Sequence, residues 1–217
     1  MDFDEFLCDA ELNINTIGRD EKYSDAHVHP YEPTTYSVLE RLAESGLIGE
    51  EDHLIDYGSG KGRVPIYMSH KTGCRATGVE CMEEFHEDAV HNLLAHEIGK
   101  KGSQKYSQYD QPDDDSESDI TFVCARAQEY TVPDDVTAVF FFNPFSVSIM
   151  KSVLDRILES YDRNPRYIRM FFYYPSDTYV AYLTSVDEVM FEDEIDCTDL
   201  FKEDDPRNRI MVFSIGG

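Results

Sequence analysis

The sequence predicts an α/β fold of the doubly wound type, with a mostly parallel sheet of seven strands and helices on both faces. Three observations support this prediction. Short apolar segments alternate with segments of helical periodicity, which is typical of parallel strands joined by helices. A glycine-rich turn follows the first apolar segment. The last two apolar segments, 190–195 and 210–215, stand close enough together to form a C-terminal antiparallel hairpin.

The elements of the amino-terminal half follow from local patterns. We expect residues 1–52 to form a helical segment that packs on a core of residues 53–217, so that the chain folds as one domain. The core begins with strand 54–57, helix 61–72, strand 76–80, helix 83–100 and strand 120–124. An amphipathic helix is predicted just before the core, over residues 35–46, with Val38, Leu39, Leu42 and Ala43 on one face.

The helix predicted over residues 83–100 has two faces of different composition. Its apolar residues recur at helical spacing, so we expect them to face the core. Its histidines are then expected on the surface, and their five-residue spacing does not suit two metal ligands on one helix face. The predicted core positions are Phe85, Ala89, Leu93, Leu94 and Ile98, and the predicted surface histidines are His86, His91 and His96.

The carboxy-terminal half contains a polar segment and the remaining strands. Residues 102–119 are almost wholly polar and are predicted to form a mobile loop, because they bury too little apolar area to order themselves. The segment 138–142 indicates a buried strand. The later elements are helix 147–161, strand 167–174, helix 176–184 and the two hairpin strands.

Composition excludes several classes of function. The formal net charge of −25 arises from 44 acidic and 19 basic residues, and it repels polyanions, so nucleic acid is an unlikely substrate. A generally solubilising acidic surface is preferred to a surface for a basic protein partner. No apolar run reaches the roughly 18 to 20 residues of a membrane span, and the acidic start MDFDEFLCDAEL does not resemble a secretion signal. A cytoplasmic protein is expected.

Cysteine and histidine give no support for a metal or a disulfide framework. The five cysteines are odd in number and scattered, and they contain no C-x-x-C pair. The pair His27-x-His29 would point both rings the same way in an extended segment, but no third ligand of similar quality lies nearby. We therefore predict no metal site.

The segment HLIDYGSGKG, residues 53–62, is the strongest functional signal. Its glycines at 58, 60 and 62 permit positive φ and close approach of the backbone to a ligand, and the N–H groups that open the next helix carry positive partial charge. Glu80 ends the second strand beside the same crevice, where a carboxylate can accept hydrogen bonds from both hydroxyls of a ribose. The pattern predicts a site for a nucleoside cofactor.

Spacing narrows the choice of cofactor. The dinucleotide fingerprint requires a third glycine three residues after the second, where this chain has Arg63. A phosphate-binding P-loop is also absent, because Lys61 is followed by Gly62 rather than Ser or Thr, and Ile55 stands where that loop has glycine.

The D-x-G-x-G-x-G order from Asp56 to Gly62, with Glu80 at the end of the second strand, resembles motifs I and II of the class I S-adenosylmethionine-dependent methyltransferases. The resemblance extends from about Tyr31 to the last residue. It implies a Rossmann-like methyltransferase fold and S-adenosylmethionine as the cofactor. Asp56 matches the acid that this family places near the methionyl amino group. The implied cofactor contacts in this region are Asp56, Tyr57, Gly58, Gly60, Gly62 and Glu80.

Asn143-Pro144-Phe145 follows the predicted fourth strand and is similar to the N/D-P-P-Y/F motif of amino-group methyltransferases. In that family the Asn side chain and a neighbouring backbone carbonyl accept hydrogen bonds from the target nitrogen. The resemblance implies a catalytic role for these three residues and a cofactor contact for Asn143, although this chain has one proline instead of two. Alternatively, Asn-Pro ends the strand and caps the next helix.

Residues 29–34, HPYEPT, look like the P-Y-x-P-T segment that precedes motif I in some lysine-methylating relatives of this family. There the segment folds over the methionine end of the cofactor. The resemblance implies that Tyr31 and Thr34 contact the cofactor and that residues 1–30 help to form a lid. Two prolines in four residues also suit a plain extended linker.

The adenine end of the cofactor is assigned by the same resemblance to residues 125–130, after the third strand. Family members commonly have an acid here that binds the adenine amino group, whereas this chain has Arg126. A backbone contact at Ala127 or the side-chain amide of Gln128 is expected instead. Tyr174 and Asp177 follow the fifth strand and are further candidates to reach a substrate amine.

The predicted function is methyl transfer from S-adenosylmethionine to an amine nitrogen of a small molecule or a protein side chain. An oxygen acceptor is the alternative within this activity. A regulatory or partner protein that binds the nucleoside cofactor without turnover is the alternative from another class, and Arg63 disfavours a nicotinamide oxidoreductase.

Overall fold

A computed structural model describes residues 4–20, 31–104 and 119–217. Its strands are β1 (His53–Tyr57), β2 (Arg75–Glu80), β3 (Ile120–Cys124), β4 (Ala138–Phe142), β5 (Ile168–Tyr173), β6 (Met190–Asp196) and β7 (Arg209–Ile215). They form one sheet in the order β3-β2-β1-β4-β5-β7-β6. Strands β1 to β5 pair in parallel, and β7 pairs antiparallel with both β5 and β6. The predicted fold class is confirmed.

Helices cover both faces of this sheet. The α-helices are α1 (Glu5–Leu12), α2 (Tyr36–Glu44), α3 (Arg63–Thr72), α4 (Glu83–Gln104), α5 (Val147–Arg163) and α6 (Asp177–Leu183). Buried residues of α1, α2 and α3 share one hydrophobic cluster, whereas those of α5 and α6 belong to a second cluster. Each cluster packs on its own side of the sheet, so the central strands are apolar on both faces. None of the helices in the described ranges combines the length and apolar character that crossing a bilayer needs.

Stacked aromatic rings join the central strands. The rings of Tyr57 and Phe141 are nearly parallel with centroids 5.4 Å apart, and Phe141 stacks in turn on Phe172 at 4.7 Å. The three residues lie on β1, β4 and β5, whose pairing brings them side by side. Each such ring pair adds about 0.5–1.5 kcal/mol beyond the burial of its area, so the ladder stabilises the pairing of these three strands.

The predicted core face of α4 is confirmed for Phe85 and Ala89, which are buried, and is wrong in the second half of the helix. Leu94 and Ile98 are 60% and 70% exposed, whereas His96, predicted on the surface, is buried at 3% exposure. The buried positions of this helix include Phe85, Ala89, Asn92 and His96, which also recur at helical spacing. The difference arises because the segment after α1 packs on α4: the carbonyl of Leu12 lies 2.7 Å from Nδ1 of His96.

Two sequence predictions lie wholly or mostly outside the described residues. The pair His27 and His29 falls in the range 21–30. Most of the predicted polar loop falls in the range 105–118, and its first residues, 102–104, instead end α4.

Candidate active site

A cavity of about 560 Å³ opens at the carboxyl ends of β1 to β4. Strand β1 lies between β2 and β4, and the helices that follow β1 and β4 lie on opposite faces of the sheet. A crevice forms where these two connections diverge. The structure brings together at this cavity many residues that the sequence singled out. They are Tyr31, Thr34, Asp56, Gly58, Glu80, Ala127, Gln128, Pro144 and Phe145.

The glycine turn after β1 has the backbone that its composition predicts. Gly58, Gly60 and Gly62 have φ of 78°, 51° and 86°, in the left-handed region that favours glycine. A Cβ at Gly58 would lie 2.8 Å from the Cβ of Pro144, so only glycine fits beneath the loop that follows β4. The N–H groups of Gly58 and of the next residue both donate to the carbonyl of Val79, at 2.8 and 3.2 Å. The turn is therefore fixed against β2.

Glu80 is held in one orientation by backbone donors. Its Oε2 accepts from the N–H of Gly60 at 2.9 Å, and its Oε1 accepts from the N–H of Met82 at 2.8 Å. The carboxylate is 7% exposed and lines the cavity. Each oxygen retains a further lone pair, so the group can accept two more hydrogen bonds, as a diol would provide.

Asp56 places a buried carboxyl at the end of β1. It is 3% exposed, and burial followed by the negative charge of Glu80 raises its pKa well above the usual value. No positive charge from the described part of the chain offsets these two effects. A cation bound in the cavity would lower the pKa of Asp56 again and so favour the charged form of the carboxylate.

The N-terminal residues close one side of the cavity. The ring of Tyr31 packs over Gly60, where a Cβ would overlap it, and lies 4.9 Å from the ring of Phe85. Its hydroxyl donates to the carbonyl of Thr16 at 2.6 Å. Thr34 is buried beside it. Of the two residues that the resemblance assigns to the methionine end, Tyr31 therefore covers the glycine turn, and Thr34 lines the same cavity.

Asn143 follows β4 between Phe142 and Pro144, which both line the cavity. Its φ of 40° is left-handed, a conformation that costs energy for any residue with a Cβ, although Asn tolerates it better than most. Phe145 is buried, and its carbonyl accepts a hydrogen bond from the hydroxyl of Tyr179 on α6. The tripeptide is thus anchored at its far end while its backbone turns at Asn143.

Residues 125–129 form the opposite wall. The N–H of Ala125 donates to the carbonyl of Glu80 at 2.9 Å, and a short 3-10 helix follows over Ala127–Glu129. The guanidinium of Arg156 on α5 donates to the carbonyl of Gln128 at 3.2 Å. Arg126 also lines the cavity but is exposed. The side chain of Gln128 is left at the cavity wall with its amide available.

The side chains of three other candidates, Tyr57, Tyr174 and Asp177, lie outside the cavity lining. Tyr57 is buried in the ring ladder on the α5 side of the sheet, and its hydroxyl has no hydrogen-bond partner among the described residues. Tyr174 donates to Asp205 at 2.5 Å and accepts from Arg207 at 2.6 Å, so it is tied to the segment between β6 and β7. Asp177 is exposed at the start of α6.

Sequence reasoning missed other cavity residues. Met82 and Phe85 form an apolar wall just after Glu80, and Ile149 contributes from the start of α5. Their signal was present, because apolar residues directly after the acid of a second strand face the same crevice. Arg63 also lines the cavity, although in the sequence it was notable only as the residue that replaces a glycine of the dinucleotide fingerprint.

Comparisons of sequence found no matching protein-family model and no matching curated protein. Comparisons of structure found many similar folds. An RNA methyltransferase from Salinibacter ruber in complex with S-adenosyl-L-homocysteine is 17% identical, with a TM-score of 0.54 over 85% of this chain and 94% of that chain. A precorrin-6y C5,15-methyltransferase from Geobacter metallireducens GS-15 is 16% identical, with a TM-score of 0.53 over 93% of this chain and 98% of that chain.

A human methyltransferase 10 domain containing protein is 13% identical and has a TM-score of 0.60 over 98% of this chain and 93% of that chain. This chain has the strand order β3-β2-β1-β4-β5-β7-β6 with an antiparallel β7, of which the sequence predicted the C-terminal hairpin but not the order. The chain therefore has the seven-stranded, Rossmann-like fold of the class I S-adenosylmethionine-dependent methyltransferases.

Proposed function

We propose that the protein is a methyltransferase that uses S-adenosylmethionine to methylate an amine nitrogen. The observation that carries the cofactor assignment is the buried Asp56 carboxylate beside the glycine turn, with its pKa raised and no cation from the described chain to offset it. The cofactor has an ammonium group that suits this position. The assignment is further supported by Glu80, whose fixed oxygens match the two hydroxyls of a ribose.

The other predicted cofactor contacts extend this proposal around the cavity. Tyr31 and Thr34 would cover the methionine end, and Gly58, Gly60 and Gly62 would let the backbone approach it. The adenine end would lie against Ala127 and Gln128. The position of Tyr57 in the core makes its backbone, rather than its ring, the part of this residue nearest to the ligand. Asn143 completes the set at the acceptor side.

When bound, the cofactor supplies an activated methyl group on a sulfonium, and transfer is an in-line displacement by a nucleophile. The work of the protein is to align that nucleophile and exclude water. The amide oxygen of Asn143 and the carbonyl of Pro144 would accept hydrogen bonds from the amine, which leaves its lone pair directed at the methyl group. Phe145 would form the apolar floor beneath the acceptor.

The acceptor is proposed to be a small molecule or a protein side chain. The net charge of −25 disfavours a polyanion as a partner. Against that expectation, several structural neighbours are RNA methyltransferases, so an exocyclic amine of an RNA base is the second candidate acceptor. The two classes differ in the salt dependence that they would impose on binding.

The first experiment is calorimetric titration of the purified protein with S-adenosylmethionine and, separately, with NADH. We expect saturable binding of S-adenosylmethionine alone. Binding of NADH alone would refute the cofactor assignment, and binding of neither would refute a nucleoside site. With binding established, transfer of a labelled methyl group to a lysine-rich peptide, small primary amines and an RNA oligonucleotide would identify the acceptor class. Binding without transfer to any of them would favour the non-catalytic alternative.

A further inference from the structure

Arg63 is a buried cation in an unfavourable position. It is the first residue of α3 and is 3% exposed. The N-terminus of a helix carries positive partial charge, so a guanidinium there is repelled unless anions compensate it. Burial adds a desolvation cost that only good pairing offsets. Its contacts must therefore offset both the burial of this charge and its repulsion by the helix N-terminus.

All the polar contacts recorded for this guanidinium reach the N-terminal segments 4–20 and 31–35. Its Nε donates to Oγ1 of Thr16 at 2.7 Å, and its Nη1 donates to the carbonyl of Thr34 at 3.0 Å. Nη1 also pairs with the Glu5 carboxylate, and Nη2 lies 3.6 Å from Oδ1 of Asp9. One side chain of the core thus holds both segments.

Thr16 connects this anchor to the cavity. Its N–H and hydroxyl donate to Asp9 at 2.5 and 2.7 Å, which fixes the residue on α1. Its carbonyl accepts a hydrogen bond from the hydroxyl of Tyr31, whose ring covers Gly60. Arg63 and Tyr31 are therefore linked through a single residue, and Thr34 is linked to Arg63 directly.

We propose that Arg63 is a positioning residue that sets the affinity for the cofactor by holding Tyr31 over the glycine turn and Thr34 at the cavity wall. It acts through these two residues, because its Nε and Nη1 are engaged by Thr16, Glu5 and Thr34. The inference rests on the proposed cofactor. It also gives the N-terminal segment the role of a fixed cover, as an integral part of the site.

The rival explanation is that Arg63 only fastens α1 to the core. The two explanations differ in coupling: if Arg63 acts through Tyr31, then losses from changing the two residues must not add. Arg63→Met removes the anchor, and Tyr31→Phe keeps the ring but removes its bond to Thr16. Arg63→Lys keeps the positive charge near Glu5, but its single ammonium group cannot replace the separate Nε and Nη1 donors of arginine.

The test is calorimetric titration with S-adenosylmethionine of the wild type, the three single variants and the Arg63→Met/Tyr31→Phe double variant. We expect each of Arg63→Met and Tyr31→Phe to weaken binding about tenfold, because a loosened cover must be ordered again on binding. The double variant should be no weaker than Arg63→Met, and Arg63→Lys should be intermediate.

Arg41→Met provides a matched control. Arg41 donates from α2 to the carbonyl of Asp196 at 2.7 Å and to Asp199 at 2.9 Å, so its loss also frees a helix from the core but does not involve the cavity. Its binding should equal that of the wild type. Fully additive losses in the double variant, or wild-type affinity in Arg63→Met, would overturn the inference. If Arg63→Met does not fold, the same two outcomes are tested with Arg63→Lys, alone and combined with Tyr31→Phe.

A wild type that fails to bind S-adenosylmethionine would refute the proposed function, and this outcome is distinct from the one above. In that case, hydrogen exchange of the ligand-free protein still tests the anchor. The amides of Thr16 and Tyr36 should exchange faster in Arg63→Met than in the wild type, since Thr16 donates to Asp9 and Tyr36 to Glu5 within the anchored network. Unchanged exchange would overturn the anchoring itself.

Discussion

Asp56→Asn should make the ligand-free protein more stable and its cofactor binding weaker. The carboxyl is 3% exposed and lies near the charge of Glu80, so its ionised form is unfavourable in the folded state. Asparagine has nearly the same shape and no charge, and it removes that cost. The same change removes the partner that we propose for the cofactor ammonium. A group with a purely structural role would not produce these two effects together.

The stability effect has a defined pH dependence. Burial and Glu80 raise the pKa of Asp56 in the folded state above its unfolded value of about 3.9. Because the folded state then binds more protons, the contribution of this group to stability falls as pH rises from the unfolded pKa through the folded pKa. The advantage of the Asn variant should therefore grow over that window and become constant above it. For a chain of this size, 1 kcal/mol corresponds to roughly 2–4 °C in Tm.

The affinity effect follows from the type of bond that is lost. A hydrogen bond between charged groups contributes about 1.5–3 kcal/mol, so S-adenosylmethionine should bind Asp56→Asn roughly 10- to 150-fold more weakly. The assays are thermal denaturation of the ligand-free variant between pH 5 and pH 8 and calorimetric titration at pH 8. Wild-type affinity, or a lower Tm throughout the pH range, would refute the reasoning.

Asp135→Asn is the matched control with the opposite sign. Asp135 lies at the other edge of the sheet, where Arg75 at 2.7 Å and His53 at 3.2 Å lower its pKa and outweigh the effect of its burial. A lowered folded pKa stabilises the protein above the unfolded value, and this contribution is lost as pH falls. The variant should therefore be less stable than the wild type at neutral pH, with unchanged cofactor affinity.

The remaining predictions concern three other sites. Asn143→Ala should reduce turnover about 100-fold, because the acceptor is misplaced. Asn143→Gly keeps the φ of 40° without strain, so it should reduce turnover equally if the side-chain amide is responsible. Restored turnover in the Gly variant would assign the residue a backbone role. Gly60→Ala should weaken S-adenosylmethionine binding about tenfold in calorimetry, because its Cβ would displace the ring of Tyr31. Arg166→Met should lower the free energy of unfolding by about 1–3 kcal/mol in urea without a change in affinity, because its guanidinium donates to Val136 at 2.5 Å, to Pro133 at 3.2 Å and to other carbonyls far from the cavity. An altered affinity would contradict this assignment.

Local chemistry explains which parts of the fold could be predicted. The glycines at 58, 60 and 62 had to adopt positive φ wherever the rest of the chain lay, and each does. The strands of the parallel core are short apolar runs flanked by turn residues, so β3 and β4 begin and end where their composition indicates. Glu80 reached the cavity because the carboxyl ends of neighbouring parallel strands meet at one edge.

Long-range packing explains what could not be predicted. The spacing of apolar residues in α4 is compatible with either of two faces being buried. The segment after α1 packs on the face that contains Asn92, so Asn92 is buried and Leu94 is exposed. Asn92 bonds the backbone of Asn15 and the carbonyl of Lys61, two partners distant in sequence. The role of Arg63 was hidden for the same reason, since its partners lie 29 or more residues away along the chain.

The insertion of β7 between β5 and β6 has a consequence for how the molecule assembles. Strand β6 follows β5 along the chain, yet it has no partner in the sheet until β7 is in place. During synthesis, the edge of β5, with Met170 and Phe172, therefore stays unpaired until residues 209–215 are available. Unpaired apolar edges are templates for intermolecular pairing. The nascent chain is thus exposed to aggregation at this edge in this interval, and it depends on one strand to end that exposure.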